Sequence, residues 1–320
     1  MRGVFDVALL ANNHIGDHGP AGVLDTIREL RARGFATVGA GASRSEAEAP
    51  LRIEVAGRAI SIFNFAEFEF GIAGETAPGA APQRPLEDIR AVAAEVAAGR
   101  TAIVVLHGGH ERYPFPSPRL RDLCRAFAEA GASLVVNCHE HCPQGIEWHG
   151  GVPVIYCPGN LWFPPNDPAS PPKRPFLWNY GYLAKVLFDD DGPFAIDLLP
   201  YKAGNDEVRP LDGQAREAFL DYVRLLSDAI PDTARLQAFF DAWCVESGRP
   251  YLNGALNAMQ DHAPDGTARL LPMRNLFTCE SHHDLVRGYL RLSAEGRVEE
   301  ASRLRDEIAA LQNPAFPTCL

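Results

Sequence analysis

Three apolar runs in this chain end in histidine, and that recurrence restricts the available folds more than any other feature. Residues 134–136 lead into Asn137-Cys138-His139-Glu140-His141, residues 104–106 into His107-Gly108-Gly109-His110-Glu111, and residues 7–10 into Ala11-Asn12-Asn13-His14. Short apolar runs closed by polar or glycine-rich turns read as buried strands. In open α/β sheets, ligands gather beyond the carboxyl ends of strands. The pattern predicts three strand ends converging on one metal site.

The rest of the chain supports an α/β reading. Residues 5–11 form a strand, residues 20–33 a helix with Val23, Leu24, Ile27 and Leu30 on one stripe, and residues 36–39 a second strand. Gly34 closes that helix. A strand–helix–strand unit predicts parallel pairing. Residues 51–55 and 59–65 alternate as a hairpin, and residues 71–85, rich in Gly, Ala and Pro, read as a long loop overhanging the site. Residues 86–98 and 118–131 read as helices, with strands at 101–106, 132–136 and 152–157. Residues 164–175 hold six prolines, which excludes helix. A closing hairpin spans 181–189 and 193–200, joined by the turn Asp189-Asp190-Asp191-Gly192. Beyond Gly204 the pattern turns helical, at residues 216–226, 233–245, 283–292 and 298–311. The expected organisation is a catalytic α/β domain over 1–203 and a helical region over 204–320.

Charge and composition exclude some partners. A net charge of −11 argues against nucleic acid, which would need a basic face. It suits a metal enzyme, because the ion supplies positive charge locally. Seven cysteines, an odd number spread along the chain, favour reduced thiols and a cytoplasmic setting for the chain as encoded. No apolar run is long enough to span a membrane. The strand at residues 7–10 begins unusually close to Met1, where natural termini commonly fray.

Each histidine cluster has a functional and a bland reading. An asparagine oxygen in Asn12-Asn13-His14 can ligate a hard or borderline cation while His14 donates a proton to a substrate oxygen; alternatively the segment is a turn with a solvated imidazole. His107 sits at a strand end, and Gly108-Gly109 would let backbone approach a ligand closely; alternatively it is a satisfied loop histidine. His110 falls further out in that loop. His139 and His141, two apart, would address one centre from extended backbone. Cys138 and Cys142 bracket them and read as small buried packing residues, the alternative being a structural zinc module of Cys138, His139, His141 and Cys142. A two-metal hydrolytic site also needs carboxylates. Asp6 lies at the wrong end of its strand to serve.

Five blocks in order identify a resemblance. Asp6-Val7, Leu10-Ala11-Asn12-Asn13-His14, Asp17 and Gly19 form the first; Thr37-Val38-Gly39-Ala40-Gly41 the second; His107, Gly109 and Glu111 the third; His139, His141, Gln144, Ile146 and Glu147 the fourth; Tyr156-Cys157-Pro158-Gly159-Asn160 the fifth. Together they resemble the CapA family of capsule and poly-γ-glutamate synthesis proteins, over residues 5–163 with continuity to about Pro200. The resemblance implies a calcineurin-like metallophosphatase fold, a layered β-sandwich flanked by helices. It implies metal ligation by Asn13, His107, His139 and His141, catalytic parts for His14 and Glu111, and substrate contacts from Asp17 and Asn160. The implied cofactor is one or two divalent ions (manganese, iron, zinc or magnesium). The implied partners are a small-molecule or polymer substrate and other polymer-synthesis proteins.

The sequence departs from the family pattern at Asn137-Cys138, Gly108 and Glu140. The family's N-terminal Gly-Asp strand and its Asn-Leu-Glu block, which carry its carboxylates, are missing. The resemblance thus implies either a start upstream of Met1 or a truncated homologue, with an envelope association if a longer N-terminus exists. Two functions follow: a phosphoesterase-like hydrolase, or a catalytically impaired binding factor for polymer synthesis.

Overall fold

The computed structural model describes residues 4–163, 175–190, 192–260 and 267–317. Most of the proline-rich segment 164–175, and Asp191 in the 189–192 turn, lie outside them. The chain divides into two compact units. The first comprises Met1–Gly108, Leu123–Asn137 and Thr278–Glu280; the second comprises Gly109–Asp122, Cys138–Phe277 and Ser281–Leu320.

The first unit opens with β1 (Val7–Leu9), α1 (Gly19–Ala32) and β2 (Ala36–Val38). β1 and β2 pair in parallel, Val7 opposite Ala36, as the strand–helix–strand pattern predicts. α1 buries Val23 and Ile27 against Leu10 and Ala40. β3 (Ala40–Gly41), α2 (Arg44–Glu48), β4 (Leu51–Val55) and β5 (Arg58–Ala66) follow, with β4 and β5 forming the expected hairpin. β6 (Gly79–Ala80), α3 (Pro85–Ala97) and β7 (Thr101–His107) complete the middle of the unit. α4 (Pro118–Glu129) precedes β8 (Leu134–Cys138), and the strand order is β4-β5-β7-β8.

β5 and β7 run parallel with Ala66 opposite His107, so both strands end at the same level. β7 is apolar throughout residues 102–106, as suits a strand buried on both faces, and Phe63, Phe65, Val104 and Leu106 are buried. Phe127 of α4 stacks on Phe65 with ring centroids 6.5 Å apart. Each such ring, fully buried, stabilises the fold by about 1.5–3 kcal/mol.

The stretch 71–85 is not the free overhanging loop its composition predicts. β6 pairs antiparallel with β3, Ile72 bridges to Ala80, and Pro82 bridges in parallel to Ala66. Ala80 and Ala81 are fully buried. Small residues here permit close backbone packing rather than mobility, and Ala81 and Gln83 exchange backbone hydrogen bonds with Ala66.

The second unit contains β9 (Ile146–His149) and β10 (Val152–Ile155), an antiparallel hairpin. β9 was not evident in the sequence. β11 (Tyr180–Asp189), β12 (Gly192–Ala203) and β13 (Val208–Pro210) form an antiparallel sheet in that order. The helices are α5 (Gly213–Ala229), α6 (Thr233–Gln260), α7 (Thr267–Thr278), α8 (Glu280–Ala294), α9 (Val298–Ala301) and α10 (Arg305–Gln312); Thr278 of α7 and Glu280 of α8 belong to the first unit. α7 was likewise unpredicted. An aromatic cluster forms this unit's core: Phe115 stacks on Phe239 at 4.7 Å and Tyr113 on Trp243 at 5.2 Å. Among the described residues no helix is long and apolar enough to cross a membrane.

Candidate functional site

In the first unit, two of the three histidine-bearing segments come together. Asn64 on β5 fixes their spacing. Its Oδ1 accepts the Ala11 N–H at 2.8 Å and its Nδ2 donates to the Val105 carbonyl at 3.2 Å. Ala11 lies two residues before Asn13, and Val105 two before His107. Asn13 is buried, and its Oδ1 faces the His107 Nε2 at 3.1 Å. The Asn13 Nδ2 donates to Glu69 Oε2 at 2.8 Å, which turns the carboxamide so that its oxygen meets the imidazole. His14 is exposed; its Nδ1 lies 2.9 Å from Asp17 Oδ2, so this carboxylate orients the ring.

Carboxylates that the sequence reading did not single out stand in this unit. β5 runs into Glu67-Phe68-Glu69. Glu67 is buried, and its N–H donates to the His107 carbonyl at 3.1 Å. Gly108 follows His107, and a Cβ there would sit 2.6 Å from Cγ and Cδ of Glu67, so only glycine leaves that carboxylate room. Asn137 Nδ2 donates to the Gly108 carbonyl at 2.9 Å. Thr278–Glu280 bring Cys279 and Glu280 to the same unit, and Glu280 Oε2 accepts the Phe68 N–H at 2.9 Å. The available sequence signal was a Glu-x-Glu at the end of a buried strand parallel to the one delivering His107. Nothing local marked Cys279 and Glu280.

The second unit holds His139, His141, Glu111 and Asn160. His139 is buried and His141 partly so, with ring centroids 6.0 Å apart. The extended backbone expected for this pair is not present. β8 stops at Cys138, and φ is +129° at His139 and +58° at His141. Non-glycine residues in that region cost of order 1–3 kcal/mol and cluster at functional sites. His141 is held on two sides: Asn160 Oδ1 lies 2.8 Å from its Nδ1, and the ring stacks on Trp178 at 4.4 Å. Asn160 Nδ2 in turn donates to the Trp178 carbonyl at 3.1 Å. Gln144 and Glu147 are structural: Gln144 Nε2 donates to the Tyr113 carbonyl, and Tyr156 Oη donates to Glu147. Glu111 is exposed in a turn. His110 falls in the loop after β7, as expected, and is buried there against Phe240 at 5.2 Å.

Burial, reinforced by the nearby Glu140 charge, pushes the Cys138 thiol up to about 12 and the Cys142 thiol well above its ordinary value. Protonated, buried thiols fit the packing role, and Cys142 Sγ donates to the Tyr113 carbonyl at 3.5 Å. Among the described residues, Cys138, His139, His141 and Cys142 do not gather as a metal-ligating group.

Beside His141 the second unit opens a cleft of about 620 Å³, lined by Arg112, Trp178, Trp243, Glu246 and Tyr251 among others. Its lining combines aromatic side chains with the charged Arg112 and Glu246, the mixture usual in a ligand site. Arg112 has φ +66°, with its N–H donating to the Glu140 carbonyl.

A mixed α/β chain in which an asparagine and a histidine 94 residues apart meet side chain to side chain defines the class: an α/β protein. Residues 2–165 match the family described as bacterial capsule synthesis protein PGA_cap, and the chain belongs to that family. It is 33% identical over 162 residues to the PGA biosynthesis protein CapA of Bacillus subtilis (strain 168), covering 50% of this chain and 43% of that protein. It is 26% identical over 237 residues to the capsule biosynthesis protein CapA of Bacillus anthracis, covering 72% and 54%. A probable polyglutamine synthesis accessory protein of Mycobacterium tuberculosis is 30% identical over 168 residues, covering 48% and 44%. The chain thus spans about half the length of the curated relatives it matches. Among solved structures, a 5'-nucleotidase precursor from Thermus thermophilus aligns with a TM-score of 0.39 at 19% identity, covering 68% of this chain and 43% of that one.

Proposed function

We propose that this chain acts in capsule or poly-γ-glutamate metabolism as a metal-dependent hydrolase of the phosphoesterase kind. The observation that carries the reading is the Asn13–His107 pair, 3.1 Å apart, in a chain of a capsule-synthesis family. That spacing fits the group: two donors on one ion with bonds of roughly 2.1 Å stand about 3.0–3.5 Å apart. The oxygen and nitrogen donors suit manganese, iron, zinc or magnesium. When bound, such an ion polarises a phosphoryl oxygen and lowers the pKa of a coordinated water.

The side chains of the first unit divide the remaining work. Glu69 holds the Asn13 carboxamide so that its oxygen is the ligating atom. Asp17 meets His14 at Nδ1 and orients the ring, which leaves Nε2 as the atom placed to exchange a proton with a leaving oxygen. His139 and His141 join the ligand set in this proposal on the strength of their sequence block. Asn160 and Trp178 fix the ring of His141. A polymeric or small phosphoester substrate, and partner proteins of polymer synthesis, belong to the same proposal.

The test is metal analysis of the purified chain together with hydrolysis of a chromogenic phosphodiester, with and without Mn²⁺. The expected result is bound metal and Mn²⁺-dependent turnover, both lowered in His107→Ala. The absence of both bound metal and turnover would overturn the reading.

A further inference from the structure

We propose that Glu67, Cys279 and Glu280 form a zinc site of their own in the first unit, with a ligand set distinct from the asparagine–histidine pair and independent of the hydrolase reading. One ligand atom from each lies within 4.8 Å of the others, and among the described residues this group of His, Cys, Asp and Glu side chains is the one so gathered. Cys279 Sγ stands 3.6 Å from Glu67 Oε2. A thiolate and a carboxylate sharing one tetrahedral Zn²⁺, with bonds of about 2.3 and 2.0 Å, stand roughly 3.5 Å apart. The spacing is therefore that of two ligands on a common ion.

The surroundings are built to hold these groups. Glu67 and Cys279 are buried, at 4% and 2% exposure, where two acidic functions gain from a cation. Glu280 is fixed by the Phe68 N–H. Gly108 leaves the space that the Glu67 side chain occupies.

Gln83 supplies an independent sign. It is 1% exposed, yet neither its side-chain nitrogen nor its oxygen is hydrogen-bonded among the described residues. Its place follows from register. Ala66 pairs with Pro82 on one side and with His107 on the other, all in parallel. Gln83, Glu67 and Gly108 therefore stand side by side, and laterally neighbouring residues of paired strands point to the same face. The contact between the Gly108 position and Glu67 bears this out. A buried amide without partners beside the carboxylate is the group expected to hydrogen-bond a metal-bound carboxylate or to meet the open fourth position.

A thiolate makes this site spectroscopically separable from the asparagine–histidine pair. The full-length chain, stripped with a chelator, is titrated with Co²⁺ and followed for the near-ultraviolet thiolate-to-cobalt charge-transfer band. The expected result is a saturable band that Zn²⁺ abolishes, that is missing in Cys279→Ser, and that persists in His107→Ala and Cys138→Ser. Glu280→Gln, which leaves every thiol in place, should weaken Co²⁺ binding, and Gln83→Ala should weaken it roughly 10–100-fold. Circular dichroism checks that Cys279→Ser is folded. No band in the wild-type chain, a band unchanged in Cys279→Ser, or Co²⁺ affinity unchanged in Glu280→Gln would overturn the proposal.

Discussion

Asn13 Oδ1 and His107 Nε2 stand 3.1 Å apart although 94 residues separate them in sequence. Their meeting depends on Asn64, which bonds the strand before one and the strand before the other. Replacing Asn64 with Ala leaves the Ala11 N–H and the Val105 carbonyl without this partner in the interior. Each buried group so orphaned costs about 1–3 kcal/mol. Urea unfolding should show a loss of that order, and bound metal should fall with it. A variant as stable as the wild type would show that Asn64 does not set the strand ends.

Glu69 touches Asn13 through a hydrogen bond to its amide nitrogen. In Glu69→Ala the carboxamide is free to turn. Metal affinity is expected to drop roughly 10–100-fold, the usual effect of removing a group that orients a ligand. Isothermal titration with Mn²⁺ measures this, and the thermal melting point of the metal-free chain should barely move.

Gly108→Ala puts a methyl group into the Glu67 side chain. Overpacking of this sort costs typically 1–3 kcal/mol. Shortening the neighbour in Gly108→Ala/Glu67→Ala should recover part of the loss. Additive destabilisation in the double variant, measured by chemical denaturation, would show that the two positions do not meet.

Far from the strand ends, Glu95 accepts Arg52 Nη2 at 2.6 Å and the Ser61 hydroxyl at 2.5 Å. The Arg52 hydrogen bond is the main cause that holds the Glu95 carboxyl down at about 2, against an ordinary 4.5. A depressed carboxylate stabilises the fold above its unfolded value, and that contribution is lost as pH falls from about 4.5 towards 2. Glu95→Gln should melt below the wild type at pH 7, with the gap closing as the solution is acidified through that window. A gap that stays constant down to pH 2.5 would contradict the assignment.

The sequence carried most of this architecture because its strands and helices follow simple periods. The parallel β1–β2 pair around α1 and the β4–β5 hairpin fell where apolar spacing placed them. Residues 71–85 misled because glycine and alanine signal loops, whereas here they let β6 lie close against its neighbours. His139 and His141 were legible as a pair but not in conformation, since positive φ at non-glycine residues is imposed by tertiary contacts such as the Trp178 stack. Glu67 and Glu69 gave no motif of their own, because two glutamates after an apolar strand read equally well as a solvated turn. Glu280, 212 residues from Phe68, had no local signal at all.

Thr278–Glu280 complete the first unit, yet nearly the whole chain separates them from its opening strand. On a ribosome adding about 5–20 residues per second, those three residues arrive roughly 15–60 seconds after the first strand emerges. During that interval the cradle around Glu67 exists without Cys279 and Glu280. Assembly of the first unit is thereby timed by the arrival of residues 278–280, and a chain released before residue 280 would leave that unit unfinished.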